Sequence, residues 1–159
     1  MFTPPVPHVD HRTGGPRTMR RPLEDGYFTM PGGDEQPRLI GSYSPSADTY
    51  FFPRRRRCPL TGGPVEDVLL STTGELFAWT YVESAWMGKA PFGFTGDGHG
   101  VGQVDLPEGV RVQCVLRGEM GDWEIGMPME LEVYPIIIDA DGIELCSFRF
   151  GPAGREAPL

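Results

Sequence analysis

Glu75-Leu76-Phe77-Ala78-Trp79-Thr80-Tyr81-Val82-Glu83 reads as a β-strand. Successive side chains of a strand point to opposite faces. Leu76, Ala78, Thr80 and Val82 therefore share one face, and Phe77, Trp79 and Tyr81 the other. Both faces are largely apolar, which predicts a strand buried on two sides or lying under a partner. Thr72-Thr73-Gly74 turns the chain into it from an earlier strand candidate, Val65 to Ser71.

The same period continues downstream. Gly100 to Leu106 is a strand candidate ended by Pro107-Glu108-Gly109. In Val110 to Arg117, Val110, Val112, Cys114 and Leu116 face inward, and Arg111, Gln113 and Arg117 outward. Met129, Leu131 and Val133 oppose Glu130 and Glu132. Asp141-Gly142 is a hairpin turn between Ile136–Ile138 and the run from Ile143 to Phe150. About five long strands, one internal loop from Ser84 to His99 and no clear helix suit a small barrel of the five-stranded OB type.

Composition agrees. The chain has 159 residues, enough for one domain or slightly more. Hydrophobic residues make up 39%, a modest core, and 22 Gly with 17 Pro disfavour a helical bundle. The formal net charge of -8 opposes general binding to nucleic acid or anionic membrane. No run approaches the roughly 20 apolar residues of a membrane helix, and Met1-Phe2-Thr3-Pro4-Pro5 lacks the pattern of a signal peptide. Three widely spaced cysteines, Cys58, Cys114 and Cys146, do not form a disulfide framework. A reducing, cytoplasmic setting is the expectation.

Before the barrel lies a ribbon-like stretch. Ser44-Pro45-Ser46-Ala47 and Cys58-Pro59-Leu60-Thr61 keep the frame of two knuckles, with corners at positions 44, 47, 58 and 61. A structural zinc site needs four Cys or His ligands. Here Cys58 alone supplies one, so no resident zinc is expected. The aromatics Tyr43, Tyr50, Phe51 and Phe52 are the candidates for holding the ribbon together instead. The predicted organisation is a mobile tail over 1–21, an N-terminal segment and ribbon over 22–64, an OB barrel over 65–152 and a short tail over 153–159. A turn of helix is possible between Leu23 and Met30, weakened by Gly26.

The ordered set of these stretches resembles a known family. Its parts are Tyr50-Phe51-Phe52-Pro53-Arg54, Cys58-Pro59, Leu70 to Thr80, Val104-Asp105-Leu106-Pro107-Glu108-Gly109, Ile125-Gly126-Met127 and Phe148-Arg149-Phe150-Gly151-Pro152. Together they look like the acyl-CoA-associated OB-fold proteins with a rubredoxin-like zinc ribbon, known as domain of unknown function thirty-five. The resemblance runs from about Arg21 to Pro152. It implies a non-catalytic accessory subunit that supports a thiolase-like, aldolase-like or hydratase enzyme acting on acyl-CoA thioesters in lipid, steroid or aromatic-acid metabolism. It also implies four zinc-binding cysteines, from which Ser44, Ala47 and Thr61 depart.

Candidate contact residues follow. Arg54, Arg55, Arg56 and Arg57 read as a solvated or partner-facing turn, as a site for CoA phosphates, or as part of a nucleic-acid groove. Trp79 and Tyr81 are candidates for docking on a partner, with Trp86, Lys89, Phe92 and Phe94 of the following loop. That loop carries too much apolar area to lie bare in water. His99 has no nucleophile beside it in the sequence and reads as a loop histidine. Asp139-Ala140-Asp141-Gly142 reads as a turn, because Phe150 stands where a calcium loop needs a carboxylate. Cys114 and Cys146 read as small buried hydrophobes. There is no phosphate-binding Walker loop, GxSxG or HExxH motif. The alternative from a different class is a single-strand nucleic-acid-binding OB module.

Overall fold

The computed structural model describes residues 19–32, 35–83 and 98–154. These residues form nine strands and, among them, no helix. The strands are β1 (Arg20–Pro22), β2 (Ile40–Ser44), β3 (Thr49–Phe51), β4 (Glu66–Leu69), β5 (Thr73–Val82), β6 (His99–Asp105), β7 (Arg111–Leu116), β8 (Pro128–Ile138) and β9 (Glu144–Pro152). Strands β5 to β9 close into a barrel in the order β9-β7-β6-β5-β8, with β8 pairing back onto β9. The long β8–β9 hairpin turns at Gly142, whose φ of 78° is the left-handed value glycine tolerates. Closure is completed by a parallel contact of β7 with β9, Leu116 opposite Phe150. Closing the sheet leaves no unpaired edge in the barrel itself.

The alternation in β7 forms as its sequence reads. Val112, Cys114 and Leu116 are buried, while Arg111 and Gln113 are exposed. Their inner faces join Leu76, Val104, Leu106, Trp123, Met129, Leu131 and Phe150 in the core. Two glycines of β6 make room for large neighbours. A Cβ on Gly102 would stand 2.8 Å from Leu116, and one on Gly100 would stand 2.3 Å from the Trp123 ring. Gly100→Val is therefore expected to cost about 1–3 kcal/mol through overpacking. Tryptophan emission and the thermal midpoint together check this, since Trp123 must shift if the valine is accommodated.

Four expectations change. The run from Val65 to Ser71 does form a strand, but β4 pairs with β2, Ile40 opposite Leu69 and Tyr43 opposite Glu66. It completes a ribbon sheet of order β3-β2-β4 rather than opening the barrel. Alternation shows that a segment is a strand and is silent about its neighbour. The end of the presumed tail, Arg20 to Pro22, is β1, parallel to Glu144–Cys146 of β9. The segment from Leu23 to Met30 contains no helix, and Gly26 sits in it at a φ of 87°. Arg117, expected outside, is buried just past the end of β7. Its guanidinium lies along Gly151 and pairs with Glu132 at 2.9 Å.

The ribbon is fixed to the barrel through one aromatic chain. Phe148 of β9 meets Phe28 at 5.9 Å and Phe52 at 5.8 Å, both edge-on, and Phe52 meets Tyr27 at 6.3 Å. Beside it, the backbone of Leu70 donates to the Leu39 carbonyl, and the Arg38 guanidinium bonds the carbonyls of Leu69 and Leu70.

Candidate functional surfaces

The largest departure from the sequence reading is in β5. Leu76 lies opposite Val104, but the next partner pair is Ala78 with Gln103, so Phe77 is an extra, bulged residue. A bulge places two residues against one and reverses the faces beyond it. Leu76, Trp79 and Tyr81 consequently share the inner side. Trp79 packs on Trp123 at 5.6 Å between ring centres, and Tyr81 on the same ring at 6.5 Å. Both are half-buried against the core.

Phe77 takes the outward place. It is 45% exposed and carries the Arg111 guanidinium over its ring, 3.2 Å from the centroid. Arg111 is held by two bonds to Asp105, 2.6 Å and 2.9 Å long. This bond holds the Asp105 carboxyl below its ordinary range and raises the Arg111 guanidinium. Next to this group, Ala78, Trp79, Thr80, Val101, Gly102, Gln103 and Gln113 line a shallow groove of about 290 Å³ across β5–β7. It is a flat, mixed apolar and polar surface with a rigid aromatic–cation pair beside it. The inserted loop residues Trp86, Lys89, Phe92 and Phe94 lie outside the described residues.

The arginine run does not form one basic strip. Arg54 pairs with Asp67 at 2.9 Å and covers Gly26. The backbone N–H of Arg55 donates to Ser42 Oγ, and Arg57 bonds the Gly62 carbonyl. Arg54, Arg55 and Arg56 border a cleft of about 550 Å³ that Asp25, Tyr27 and Asp67 also line. Carboxylates thus offset part of its positive field. A single-strand binder combines a positive groove with exposed stacking rings. Here Trp79 and Tyr81 face inward and the arginines share their cleft with acids.

The knuckle frame closes around Cys58, which is 2% exposed. Hydrogen bonds from the Ser44 and Thr61 side chains, with the Thr61 and Leu60 backbone, bring its thiol down to about 7. The donors at the four corners are one thiol, two neutral hydroxyls and a methyl group, a set that does not fit a structural zinc ion. Among the described residues, no cluster of three or more Cys, His, Asp or Glu side chains could hold a metal.

The remaining thiols belong to the barrel. Burial pushes Cys114 up to about 12, and burial also raises Cys146. His99 starts β6 and is half-buried. Asp139 accepts from the backbone N–H groups of Asp141 and Ile143, each at 2.9 Å, and pairs through its other oxygen with Arg21. The Asp139–Gly142 stretch is thus a side-chain-braced hairpin turn.

Sequence reading missed a charged group on the barrel wall. Glu132 joins Arg117 through one oxygen and Arg149 through the other, and Arg149 lies 4.4 Å over the Tyr134 ring. The alternation in Phe148-Arg149-Phe150 and in Leu131-Glu132-Val133 put the last two charges on one side, but not Arg117. Among the described residues, no helix is long and apolar enough to cross a membrane.

No protein-family model matches the chain. It is 29% identical over 123 residues to the benzoylsuccinyl-CoA thiolase subunit BbsA of Thauera aromatica, covering 76% of this chain and 80% of that protein. Among solved structures it is similar to a chain of the Ltp2-ChsH2(DUF35) aldolase, with a TM-score of 0.56 and 27% identity over 73% of this chain and 85% of that one. In sequence and in fold the chain is thus similar to a thiolase subunit and to a chain of a DUF35 aldolase.

Proposed function

We propose that the chain is a non-catalytic subunit that binds and supports a thiolase-type or aldolase-type enzyme acting on acyl-CoA thioesters. The observation that carries this reading is the likeness, over most of each chain, to two proteins named for a thiolase and an aldolase. A hydratase is the third partner class, and lipid, steroid or aromatic-acid metabolism is the setting.

The state of the thiols supports the partner as the catalyst. A thiolase-type reaction needs an accessible thiolate. Cys114 and Cys146 are buried in the barrel with their ionisation suppressed, and Cys58 is enclosed in its knuckle. The outer face of β5–β7 offers the docking surface, with Phe77 and Arg111 as its anchor. Aromatic and arginine side chains in such positions dominate binding energy. The arginine cleft is the place where CoA phosphates would approach this subunit, through guanidinium–phosphate bonds.

The test is recovery of the tagged chain from its native host, with identification and assay of what comes with it. A thiolase-, aldolase- or hydratase-type protein is expected, and the pair should turn over an acyl-CoA that this chain alone leaves intact. Turnover by the isolated chain would overturn the non-catalytic role. Phe77→Ala is expected to weaken the complex by roughly tenfold or more while shifting the thermal midpoint little, because the ring is nearly half exposed. Unchanged affinity would remove this face from the interface.

A further inference from the structure

We propose that the ribbon is a metal-free form of a zinc knuckle, in which a network of hydroxyl and backbone hydrogen bonds around Cys58 has taken over the cross-linking done elsewhere by an ion. The four corner positions come from two separate stretches, 44–47 and 58–61, and structure brings their side chains together. The Ser44 and Thr61 hydroxyls and the Leu60 and Thr61 backbone surround the Cys58 thiol and hold it down to about 7. Ser46 then ties the two stretches to each other, lying 3.2 Å from Ser44 Oγ and 2.6 Å from Thr61 Oγ1.

The backbone keeps the turn that a ligand pair requires. The Cys58 N–H donates to the Gly63 carbonyl at 2.9 Å, and the Gly62 N–H donates back to the Cys58 carbonyl at 2.8 Å. Gly62 adopts a φ of 72° to complete it. On the other stretch, the Ala47 N–H donates to Ser44 Oγ and Asp48 turns the chain at a φ of 48°. Ser44 is fully buried, so its hydroxyl belongs to the ribbon interior rather than to solvent.

Donor chemistry separates this cluster from a weak zinc site. Neutral hydroxyls supply neither the charge nor the softness of thiolates, and Ala47 supplies no donor. The cross-link is replaced by many small terms: the hydroxyl cluster, the third strand β4, the Tyr43–Tyr50 ring pair at 4.8 Å, and Phe52 seated on Phe148. Knuckle geometry and metal binding are thus separable properties of this fold.

Two arms test this on the full chain. Purified wild-type protein is expected to carry almost no zinc, and its thermal midpoint should not respond to EDTA or to added zinc. About one zinc per chain, the stoichiometry of a structural site, or a midpoint lowered by EDTA would overturn the proposal. Thr61→Val is expected to lower the midpoint by about 2–4 °C, and an unchanged midpoint would remove the hydroxyl cluster from the argument. The second arm restores the ligands with Ser44→Cys, Ala47→Cys and Thr61→Cys together. This variant should bind about one cobalt(II), with the visible absorption of a tetrahedral thiolate site, and gain a midpoint that zinc raises and EDTA reverses. A folded triple variant that binds no cobalt would show that the frame has lost its metal geometry and overturn the claim that the knuckle persists. If the triple variant does not fold, the wild-type zinc content and the Thr61→Val midpoint decide.

Discussion

Glu132→Ala is expected to destabilise the protein by about 3–5 kcal/mol. The carboxylate stands between Arg117 and Arg149, and the Arg117 side chain is only 10% exposed. Removing Glu132 leaves a guanidinium confined between β8 and β9 without its counter-ion. Arg117 cannot swing away, since its Nη2 is also held by the Pro152 carbonyl at 3.2 Å and its backbone carbonyl accepts from Trp123 Nε1 at 3.0 Å. The loss should be read from urea unfolding. Combining Glu132→Ala with Arg117→Met should recover most of it, because an apolar replacement of a buried pair is often neutral. A drop of less than about 1 kcal/mol in the single variant, the size expected of a surface pair, would show that water reaches Arg117.

Phe150→Ala is the second large effect, again about 3–5 kcal/mol. Phe150 is fully buried, opposite Leu131 of β8 and opposite Leu116 of β7. It is the residue at which the last strand joins both neighbours and closes the barrel. Truncation leaves a cavity where three strands meet, and the closed sheet has little freedom to collapse into it. The thermal midpoint should fall by about 6–20 °C. Partner binding should fail at a temperature below that at which the wild-type complex dissociates, because the β5–β7 surface depends on closure. The neighbouring exposed change Phe77→Ala should show the reverse profile, with affinity lost and stability kept. The two variants together separate folding from docking.

The strands of the barrel were legible because burial on one side imposes a period of two. Val112, Cys114 and Leu116 read correctly for that reason, as did the Asp141-Gly142 turn, which only a left-handed residue can make so tightly. The aromatic assignment in β5 failed for an equally physical reason. One bulged residue at Phe77 reverses the faces, and nothing in the composition of Leu76-Phe77-Ala78 marks it. Trp79 and Tyr81 pass to the core, and Phe77 becomes the exposed ring. The two buried glycines of β6, at 100 and 102, are the trace it leaves, since they make space on the inner side for the rings opposite. The arginines read as one patch along the chain and divide in space, because Asp25 and Asp67 arrive in the cleft from distant segments.

Local order along the chain sufficed for the strand content, the small barrel, the two knuckle stretches and the mismatch between their corner residues and zinc. Those follow from periodicity, turn chemistry and ligand valence, all properties of neighbours in sequence. Pairing and charge placement required long-range contacts. They put β4 in the ribbon, Arg117 inside beside Glu132, and Phe148 between Phe28 and Phe52. They also gathered Ser44 and Thr61 around one thiol, with Ser46 joining the two hydroxyls, where side chains from two stretches meet only after the ribbon has closed. A strand's period states which side chains share a face, but the partner that covers that face is chosen by the packing of the whole chain.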